Sequence, residues 1–238
     1  MREKPLVSVI IPIVKNDPFI KKNLEHLEKS TYKNLEIIVV DEGKERSYQR
    51  NFGIKKAKGK YLLYLDADQY VTPKLIEELV DLANIGFSAI YIPEQIITKG
   101  FFAYLRNWER QFYNGTPVDC VRFMAKENCP LFSEDLNGPE DSDHDRQVKG
   151  IRTTSRNYLL HDDGISFIKF LRKKAYYSKS MKNFAQKNPG DKVLNLWWRC
   201  IDVYFENSKW KRVLQRPDLF ICLMGLIFLR GVIYFAKR

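Results

Sequence analysis

The sequence of 238 residues predicts an α/β fold built on a mostly parallel β-sheet. Within the first hundred residues, short runs of β-branched and aliphatic residues alternate with segments of helical periodicity, as expected when crossover helices join parallel strands. A chain of this length can bury one large core and carry an appendage. The four cysteines show no CxxC pair and no histidine at a metal-ligand spacing, so they predict small buried side chains in a reducing compartment.

Four strands and three helices are predicted along the first hundred residues. The strands are expected where apolar residues run together, at residues 6–13, 35–40, 61–65 and 89–92. The helices are expected from Pro18 onward, at 47–58 before Gly59, and at 73–83 after the capping residue Thr72. Beyond residue 99 the pattern loosens into a helix at 102–113, a strand at 121–125 and an acidic segment at 133–145. Irregular segments of this kind often carry function.

The positive charge is concentrated in the last third of the chain. Within the formal net charge of +11, residues 165–238 hold 16 Lys and Arg against 4 Asp and Glu, while the preceding residues hold 24 against 25. Three of the four tryptophans lie in this tail, which includes an apolar run at 219–229. Basic residues beside an anionic leaflet contribute about 1 kcal/mol each, and Trp favours the headgroup region. Residues 166–238 are therefore predicted to associate with a membrane surface.

The composition of this tail leaves three interpretations. Nucleic-acid binding would use the same basic and aromatic residues, but an apolar end has no use in such a site. A spanning helix is disfavoured because Arg230 near a bilayer centre costs about 2.5–3.5 kcal/mol, which favours an interfacial or re-entrant helix. The third interpretation is that the tail packs on the rest of the protein. The N-terminus shows no secretory signal pattern, so the expected location is the cytoplasmic face of the membrane, peripheral or anchored by the C-terminal helix.

Acidic residues follow two of the predicted strands. Asp41 ends the second strand, and Asp66 and Asp68 follow the third. Ligands of open parallel sheets bind beyond the carboxyl ends of the strands, and two carboxylates separated by one residue can face a single hard cation. Aspartates at strand ends also cap helices and shape turns, so this spacing alone leaves both interpretations open.

The sequence around these aspartates resembles a known family. The stretch RNFGIKKAKGKYLLYLDADQYVTP, from Arg50 to Pro73, resembles the family 2 glycosyltransferases, which have the GT-A fold. The runs VIIP at 9–12 and IVVDE at 38–42 resemble the first and second strands of that family. The resemblance implies a Rossmann-like GT-A catalytic domain, of the nucleotide-diphospho-sugar transferase type, over residues 1–165. The basic, aromatic helical region follows at 166–238.

The resemblance also implies a donor site for a UDP- or GDP-sugar. Pro12 and Val14 would line the base pocket, and Asp41 would accept a hydrogen bond from the base. Arg50 would face the diphosphate. The family often has Asp-Gly-Ser after the second strand where this chain has EGK at 42–44, which leaves donor choice open at this loop.

A divalent metal, Mn²⁺ or Mg²⁺, is the cofactor that the resemblance implies. Asp66 and Asp68 would hold the ribose and the metal, with Asp68 the more direct ligand. His161 follows a short apolar strand, at a position where related enzymes place a histidine near the metal or the diphosphate. A histidine beside two aspartates is equally compatible with a hydrogen-bonded loop.

The second acidic cluster resembles the Glu-Asp pair of the family. Glu140 would lie on the acceptor side, and Asp141 would be the general base that takes the proton of an acceptor hydroxyl. Acidic residues also stabilise the first turn of any helix, and Pro139 suits such a start. Because a polyprenyl phosphate is already an anionic nucleophile, a Glu-Asp pair favours a sugar hydroxyl as acceptor.

These observations predict an inverting, metal-dependent glycosyltransferase that transfers a sugar to a hydroxyl of a lipid-linked or membrane-proximal glycan. Two alternatives stay open. One is a polyprenyl-phosphate glycosyltransferase of the dolichyl-phosphate-sugar synthase type. The other is a catalytically inactive GT-A-like module that tethers a partner to the membrane. No nucleic-acid partner is expected.

Overall fold

The computed structural model describes residues 4–43, 45–164 and 166–236. Lys44, in the EGK stretch at 42–44, and Ile165, at the expected domain boundary, lie outside the described residues. The strands are β1 (Val7–Pro12), β2 (Leu35–Val40), β3 (Tyr61–Tyr64), β4 (Gln69–Val71), β5 (Ala89–Tyr91), β6 (Glu94–Ile96), β7 (Val121–Ala125), β8 (Arg152–Thr154) and β9 (Leu159–His161). The α-helices are α1 (Ile20–Glu28), α2 (Arg46–Lys56), α3 (Leu75–Asn84), α4 (Phe101–Arg110), α5 (Glu140–Gln147), α6 (Phe167–Tyr177), α7 (Met181–Lys187), α8 (Val203–Phe205), α9 (Trp210–Gln215) and α10 (Pro217–Ala236).

The α/β class is confirmed, but the large sheet is mixed. Its strand order is β2-β1-β3-β7-β5-β8. The pairs β1–β2, β1–β3 and β5–β8 are parallel, whereas β7 runs antiparallel to both β3 and β5. The chain leaves β5 at one edge of the sheet and, after β6 and α4, enters β7 from that same edge. Strand β7 therefore runs antiparallel to β5. A second sheet, with order β4-β9-β6, lies at this carboxyl-terminal edge of β3.

Helices cover both faces of the large sheet, because successive side chains of a strand point to opposite sides. Val9 and Ile11 of β1 are buried in a core with side chains of α1 and α3. Ile10 is buried on the other face in a core with Ile54 of α2. A Cβ atom at Gly53 would lie 2.4 Å from Cγ2 of Ile10, so the glycine permits the close approach of α2 to the sheet.

Three local expectations need correction. The third helix begins at Leu75 and not at residue 73, and the hydroxyl of Thr72 donates a hydrogen bond to the carbonyl of Tyr158 instead of capping the helix. The helix expected at 102–113 ends at Arg110, because the chain turns there. The cysteines are not fully buried, and Cys222 is exposed because it lies on the outer side of α10.

The tail packs on α4 through a third core. Trp108 and Phe112, from α4 and the turn after it, are buried together with Phe170 of α6 and with residues of α8, α9 and α10. Within this contact the guanidinium of Arg230 donates to both carboxylate oxygens of Glu109, at 2.6 and 3.1 Å. Burial by itself raises the pKa of Glu109, but the charges of Arg106 and Arg230 outweigh it and lower that pKa to about 2. The interpretation in which tail helices pack on the protein is therefore correct for this face of α10.

The two faces of α10 have different surroundings. Leu219, Leu223, Leu226 and Arg230 recur at helical spacing and face the protein. The opposite side carries exposed apolar side chains, namely Ile221, Phe228, Leu229 and Val232. Among the described residues, no helix combines the length and the apolar character needed to cross a membrane.

Candidate active site

The Asp66–Asp68 turn lies at the carboxyl-terminal edge of β3, as the sequence predicts. The side-chain amide of Asn23 on α1 donates to the carbonyl oxygens of Asp66, Ala67 and Gln69 at 3.3, 3.3 and 2.7 Å. The amide oxygen of Gln69 accepts a hydrogen bond from the backbone N–H of Asp66 at 2.9 Å. These bonds satisfy the turn's backbone from within the protein, so the carboxylates of Asp66 and Asp68 are not needed to cap the turn.

A buried arginine joins the turn to the second acidic cluster. Arg50 on α2 is 0% exposed, and its guanidinium donates to Oδ1 of Asp66 at 2.7 Å and to Oδ1 of Asp141 at 2.5 Å. The guanidinium also lies 5.0 Å from the ring centroids of Tyr64 and Phe132. The structure thus brings Arg50, Asp66 and Asp141 together, although Arg50 and Asp141 lie 91 positions apart in the sequence. The expected contact of Arg50 with a diphosphate stays a prediction.

The arginines keep both carboxylates ionised. Burial alone raises the pKa of Asp141, but the charge of Arg50 and of neighbouring arginines outweighs it and holds that pKa below the ordinary aspartate value. The same balance between burial and the charges of Arg50 and Arg46 lowers the pKa of Asp66. Asp141 is therefore a carboxylate at neutral pH and can accept a proton.

Arg46 and Glu140 form a second pair beside the first. Nη2 of Arg46 donates to Oε1 of Glu140 at 2.7 Å, and Nη1 lies 3.8 Å from Oδ2 of Asp66. Burial and the neighbouring Asp141 raise the pKa of Glu140 above its ordinary value. Sequence reasoning missed Arg46, although it precedes Arg50 by four residues on α2 and therefore projects from the same helix face.

Asp68 belongs to a different cluster, around His161. Nε2 of His161 lies 3.5 Å from Oδ2 of Asp68, and its Nδ1 lies 2.9 Å from Oε2 of Glu94. Glu94 in turn pairs with Arg122 at 3.0 Å and with Arg110. The register of the small sheet explains this cluster, because β9 lies between β4 and β6 and places His161 opposite Gln69 and Ile96. Glu94, Arg110 and Arg122 were not identified from the sequence, since they become neighbours only through this pairing.

The Asp68–His161 pair fits a divalent metal that is shared with a substrate. In the described part of the chain, no group of three or more acidic, His or Cys side chains forms a complete metal centre. Mg²⁺ is commonly held by one or two protein ligands together with substrate phosphates. Glu94 contacts the second ring nitrogen of His161, the kind of outer-shell contact that orients a histidine ligand. Asp66 is engaged by Arg50 and Arg46 and so lies outside this pair.

The remaining donor-site candidates lie at the same edge of the large sheet. Pro12 is the last residue of β1 and is buried, whereas Val14 is 68% exposed. Asp41 is exposed and follows directly after β2. Because β1 and β2 pair in parallel, with Pro12 opposite Val40, Val14 and Asp41 leave the sheet side by side. Their predicted roles in binding a base stay predictions.

The fold and the acidic turn at the edge of the sheet define an α/β protein of the GT-A class. Residues 42–120 match the family model described as glycosyl transferase family 2. The uncharacterised glycosyltransferase EpsJ of Bacillus subtilis (strain 168) is 28% identical over 158 residues, which cover 56% of this chain and 43% of that protein. Glycosyltransferase GlyG of Streptococcus pneumoniae serotype 4 is 30% identical over 101 residues, which cover 31% of this chain and 34% of that protein.

Solved structures show the same fold. The mannosyltransferase PcManGT from Pyrobaculum calidifontis, in complex with GDP-Man and Mn²⁺, has a TM-score of 0.67 at 13% identity, covering 99% of this chain and 87% of that one. TarS residues 1–349 from S. aureus, in complex with UDP-GlcNAc, has a TM-score of 0.51 at 14% identity, covering 94% and 81%. The family-model match over residues 42–120 and the curated relatives support a family 2 glycosyltransferase, and the solved structures show the fold. It spans less than half the length of the curated relatives named above.

Proposed function

We propose that this protein is an inverting glycosyltransferase that uses a nucleoside-diphosphate-sugar donor and a hydroxyl of a lipid-linked or membrane-proximal glycan as acceptor. The match of residues 42–120 to the family model supports a transferase, and the structural neighbours include proteins in complex with GDP-Man and with UDP-GlcNAc. The observation that carries the proposal is the bridge from Asp66 through Arg50 to Asp141. It holds a carboxylate of the donor turn and a candidate base at a fixed separation.

In the proposed reaction Asp141 takes the proton of the acceptor hydroxyl. The hydroxyl oxygen forms a bond to the anomeric carbon of the donor sugar while the bond from that carbon to the diphosphate oxygen breaks. The electron pair of the broken bond leaves with the nucleoside diphosphate. Attack from the opposite side inverts the configuration at the anomeric carbon. Arg50 keeps Asp141 ionised and oriented, which a general base requires.

Asp68 and His161 are the residues that would hold Mn²⁺ or Mg²⁺. A cation bound there supplies positive charge for the departing diphosphate. Glu94 fixes the orientation of His161, and Arg110 and Arg122 hold Glu94 in place. Asp68 directly precedes β4 and His161 ends β9, and these two strands pair in the small sheet, so the separation of the two side chains is set before a donor arrives.

Asp68→Asn is expected to remove metal-dependent donor binding. For the unaltered protein, a UDP- or GDP-sugar with Mn²⁺ at 100 times its Kd should stabilise the fold by about 2.7 kcal/mol, and the variant should lose most of this gain. Thermal unfolding with a panel of nucleotide sugars, with Mn²⁺ or with chelator, measures it. Glu127→Gln, at an exposed carboxylate on the opposite edge of the sheet, serves as matched control.

The same panel of nucleotide sugars tests whether the protein is an enzyme or an inactive module. Metal-dependent hydrolysis of one nucleotide sugar is expected from an enzyme, and absence of both stabilisation and hydrolysis with every donor would instead favour an inactive tethering module. Transfer to a polyprenyl phosphate that survives the loss of Asp141 would favour the polyprenyl-phosphate alternative, since that acceptor needs no base.

We further propose that the tail lies on the cytoplasmic face of a membrane through the outer side of α10. Ile221, Phe228 and Val232 recur there at helical spacing and are exposed, and Trp197 of the same tail is 67% exposed. With 16 basic against 4 acidic residues in 165–238, the tail complements an anionic surface. The lipid-linked acceptor of the proposed reaction would be present at such a surface.

Sedimentation with phosphatidylglycerol-containing vesicles tests this placement. The double variant Phe228→Ser and Val232→Ser is expected to weaken vesicle binding more than tenfold, because burying each large apolar side chain contributes roughly 1.5–3 kcal/mol. Ile85→Ser, at an exposed apolar residue that directly follows α3, is the control and should bind as the unaltered protein does. Equal binding by the double variant would exclude this face of α10.

A further inference from the structure

One residue of the tail lies against the second acidic cluster. Tyr177, the last residue of α6, is partly exposed, and its hydroxyl accepts a hydrogen bond from Nη2 of Arg46 at 3.3 Å. Its ring packs on Gly138, where an added Cβ atom would lie 2.5 Å from Cβ and Cγ of Tyr177. A larger residue at position 138 would therefore displace the tyrosine. The glycine allows the tail to reach the candidate site.

The chain after Tyr177 is tied to the helix that carries Asp141. Hydrogen bonds join residues of the tail to α5 and to the segment that leads into it. The pairs are Ser180 with the backbone N–H of Asn137 at 3.2 Å, Asn188 with Asp143 at 2.8 Å, and Asp191 with Arg146 at 2.6 Å. Because these contacts lie before and within α5, they fix the position of Tyr177 relative to Asp141.

Arg46 and Tyr177 are more accessible to solvent than the glutamate beside them. The side chain of Glu140 is 2% exposed, and its carboxylate accepts hydrogen bonds from Arg46 at 2.7 Å and from the backbone N–H of Gly138. The side chain of Arg46 is 38% exposed, and that of Asp141 is 24% exposed. A molecule that approaches Asp141 from solvent on this side therefore meets Arg46 and Tyr177 before it meets Glu140.

The chemistry of these two side chains suits a sugar ring. The face of an aromatic ring carries partial negative charge, which attracts the partly positive C–H groups on one face of a pyranose. A guanidinium presents several N–H donors in one plane, and sugar hydroxyl oxygens can accept from them. Nη1 of Arg46 also lies 3.8 Å from Oδ2 of Asp66. A sugar bound at Arg46 and Tyr177 therefore lies beside the donor turn.

We propose that Tyr177 is an acceptor-binding residue whose ring stacks on an uncharged pyranose ring of the acceptor. Arg46 binds hydroxyl groups of the same pyranose, so that another of its hydroxyls is presented to Asp141. This inference rests on the proposed transferase function and deepens it, because it assigns part of the acceptor site to the tail. The tail then contacts the acceptor directly, in addition to the contact with a membrane proposed for α10.

Transfer to simple glycosides by the full chain tests the inference. The n-octyl glycosides of glucose, galactose, mannose and N-acetylglucosamine are offered as acceptors with UDP- and GDP-sugars, and the octyl disaccharide formed is measured by mass spectrometry. Tyr177→Leu keeps an apolar side chain but has no ring that can stack on a sugar. It is expected to raise the KM for the glycoside about tenfold, while the maximum rate changes by less than about threefold.

Two further variants separate sugar stacking from other effects of the substitution. Tyr177→Phe keeps the ring and loses only the hydroxyl that contacts Arg46, so its KM for the glycoside should stay within about threefold of the unaltered value. Tyr104→Leu removes a 50% exposed ring from α4, where the tyrosine contacts Arg216. This control should transfer sugar to the glycoside with the unaltered KM.

The outcomes distinguish this inference from the proposed function. An unchanged KM in Tyr177→Leu overturns the inference, whether or not the maximum rate falls, because a tyrosine that only supports the fold would lower the rate alone. An equal rise of KM in Tyr177→Phe overturns the stacking role. Failure of every glycoside as acceptor, in a protein that hydrolyses a nucleotide sugar, overturns the inference and leaves the transferase in place. Absence of donor hydrolysis in the unaltered protein rejects the transferase itself.

Discussion

Asp141→Asn is expected to lower the rate of sugar transfer by about 100- to 10,000-fold, the usual contribution of a positioned general base. Asparagine keeps the shape of the side chain and an oxygen that can accept from Arg50, whose guanidinium lies 2.5 Å from Asp141. The asparagine side chain cannot take a proton from an acceptor hydroxyl. The variant should therefore fold and bind donor while losing transfer. Initial rates with a nucleotide sugar and a glycan acceptor measure the effect.

Asp135→Asn is the matched control for this substitution. Asp135 lies six residues earlier in the same acidic segment, is exposed, and pairs with Lys187 at 2.5 Å. It should transfer sugar at the unaltered rate. Donor-induced stabilisation of Asp141→Asn, measured alongside, confirms that its binding site is intact. Normal turnover by Asp141→Asn would remove the role assigned to this carboxylate.

Arg50→Met is expected to have the largest effect on stability, lowering the free energy of unfolding by about 3–5 kcal/mol, as removal of one partner from a buried ion pair does. The side chain is 0% exposed and bridges Asp66 and Asp141. Without it, two carboxylates in a poorly hydrated site lose their shared counter-charge. Arg50→Lys should be intermediate, because one ammonium cannot reproduce the two-pronged contact of the guanidinium.

Urea unfolding monitored by circular dichroism measures the loss, with an unchanged m-value showing that the same surface unfolds. Arg156→Met is the control, because that side chain lies at the surface and its substitution should change stability by less than about 0.5 kcal/mol. An Arg50→Met protein with the same urea midpoint as the unaltered chain would contradict the bridge.

Local sequence patterns predict the part of the site that depends on strand ends. The apolar runs of β1, β2 and β3 place Asp41, Asp66 and Asp68 at one edge, because Asp41 follows β2 directly and the two other aspartates lie in the turn after β3. The pairing of Asp141 with Arg50 across 91 positions has no local signature. It follows from the loop that carries α5 back over α2, which only tertiary packing specifies.

The pairing of the small sheet could not be predicted for a similar reason. Its strands β4, β6 and β9 are three residues long each, too short for an alternation pattern, and only the apolar strand that leads to His161 was predicted. Glu94 consequently had no recognisable role until its strand was paired beside His161. The tail shows a different limit of sequence-based prediction. Its composition indicates a membrane surface, but it does not reveal that one face of α10 packs on α4.

The ion pair between Glu109 and Arg230 joins positions 121 residues apart. During synthesis the N-terminal part of a chain emerges first, so Glu109 leaves the ribosome well before its partner exists. Glu109 has two guanidinium partners, Arg106 and Arg230. Before Arg230 has been synthesised, only Arg106 of these two can pair with Glu109. The second ion pair of Glu109 therefore forms only after α10 has been translated, and a shortened chain that lacks α10 would leave the buried Glu109 carboxylate without it.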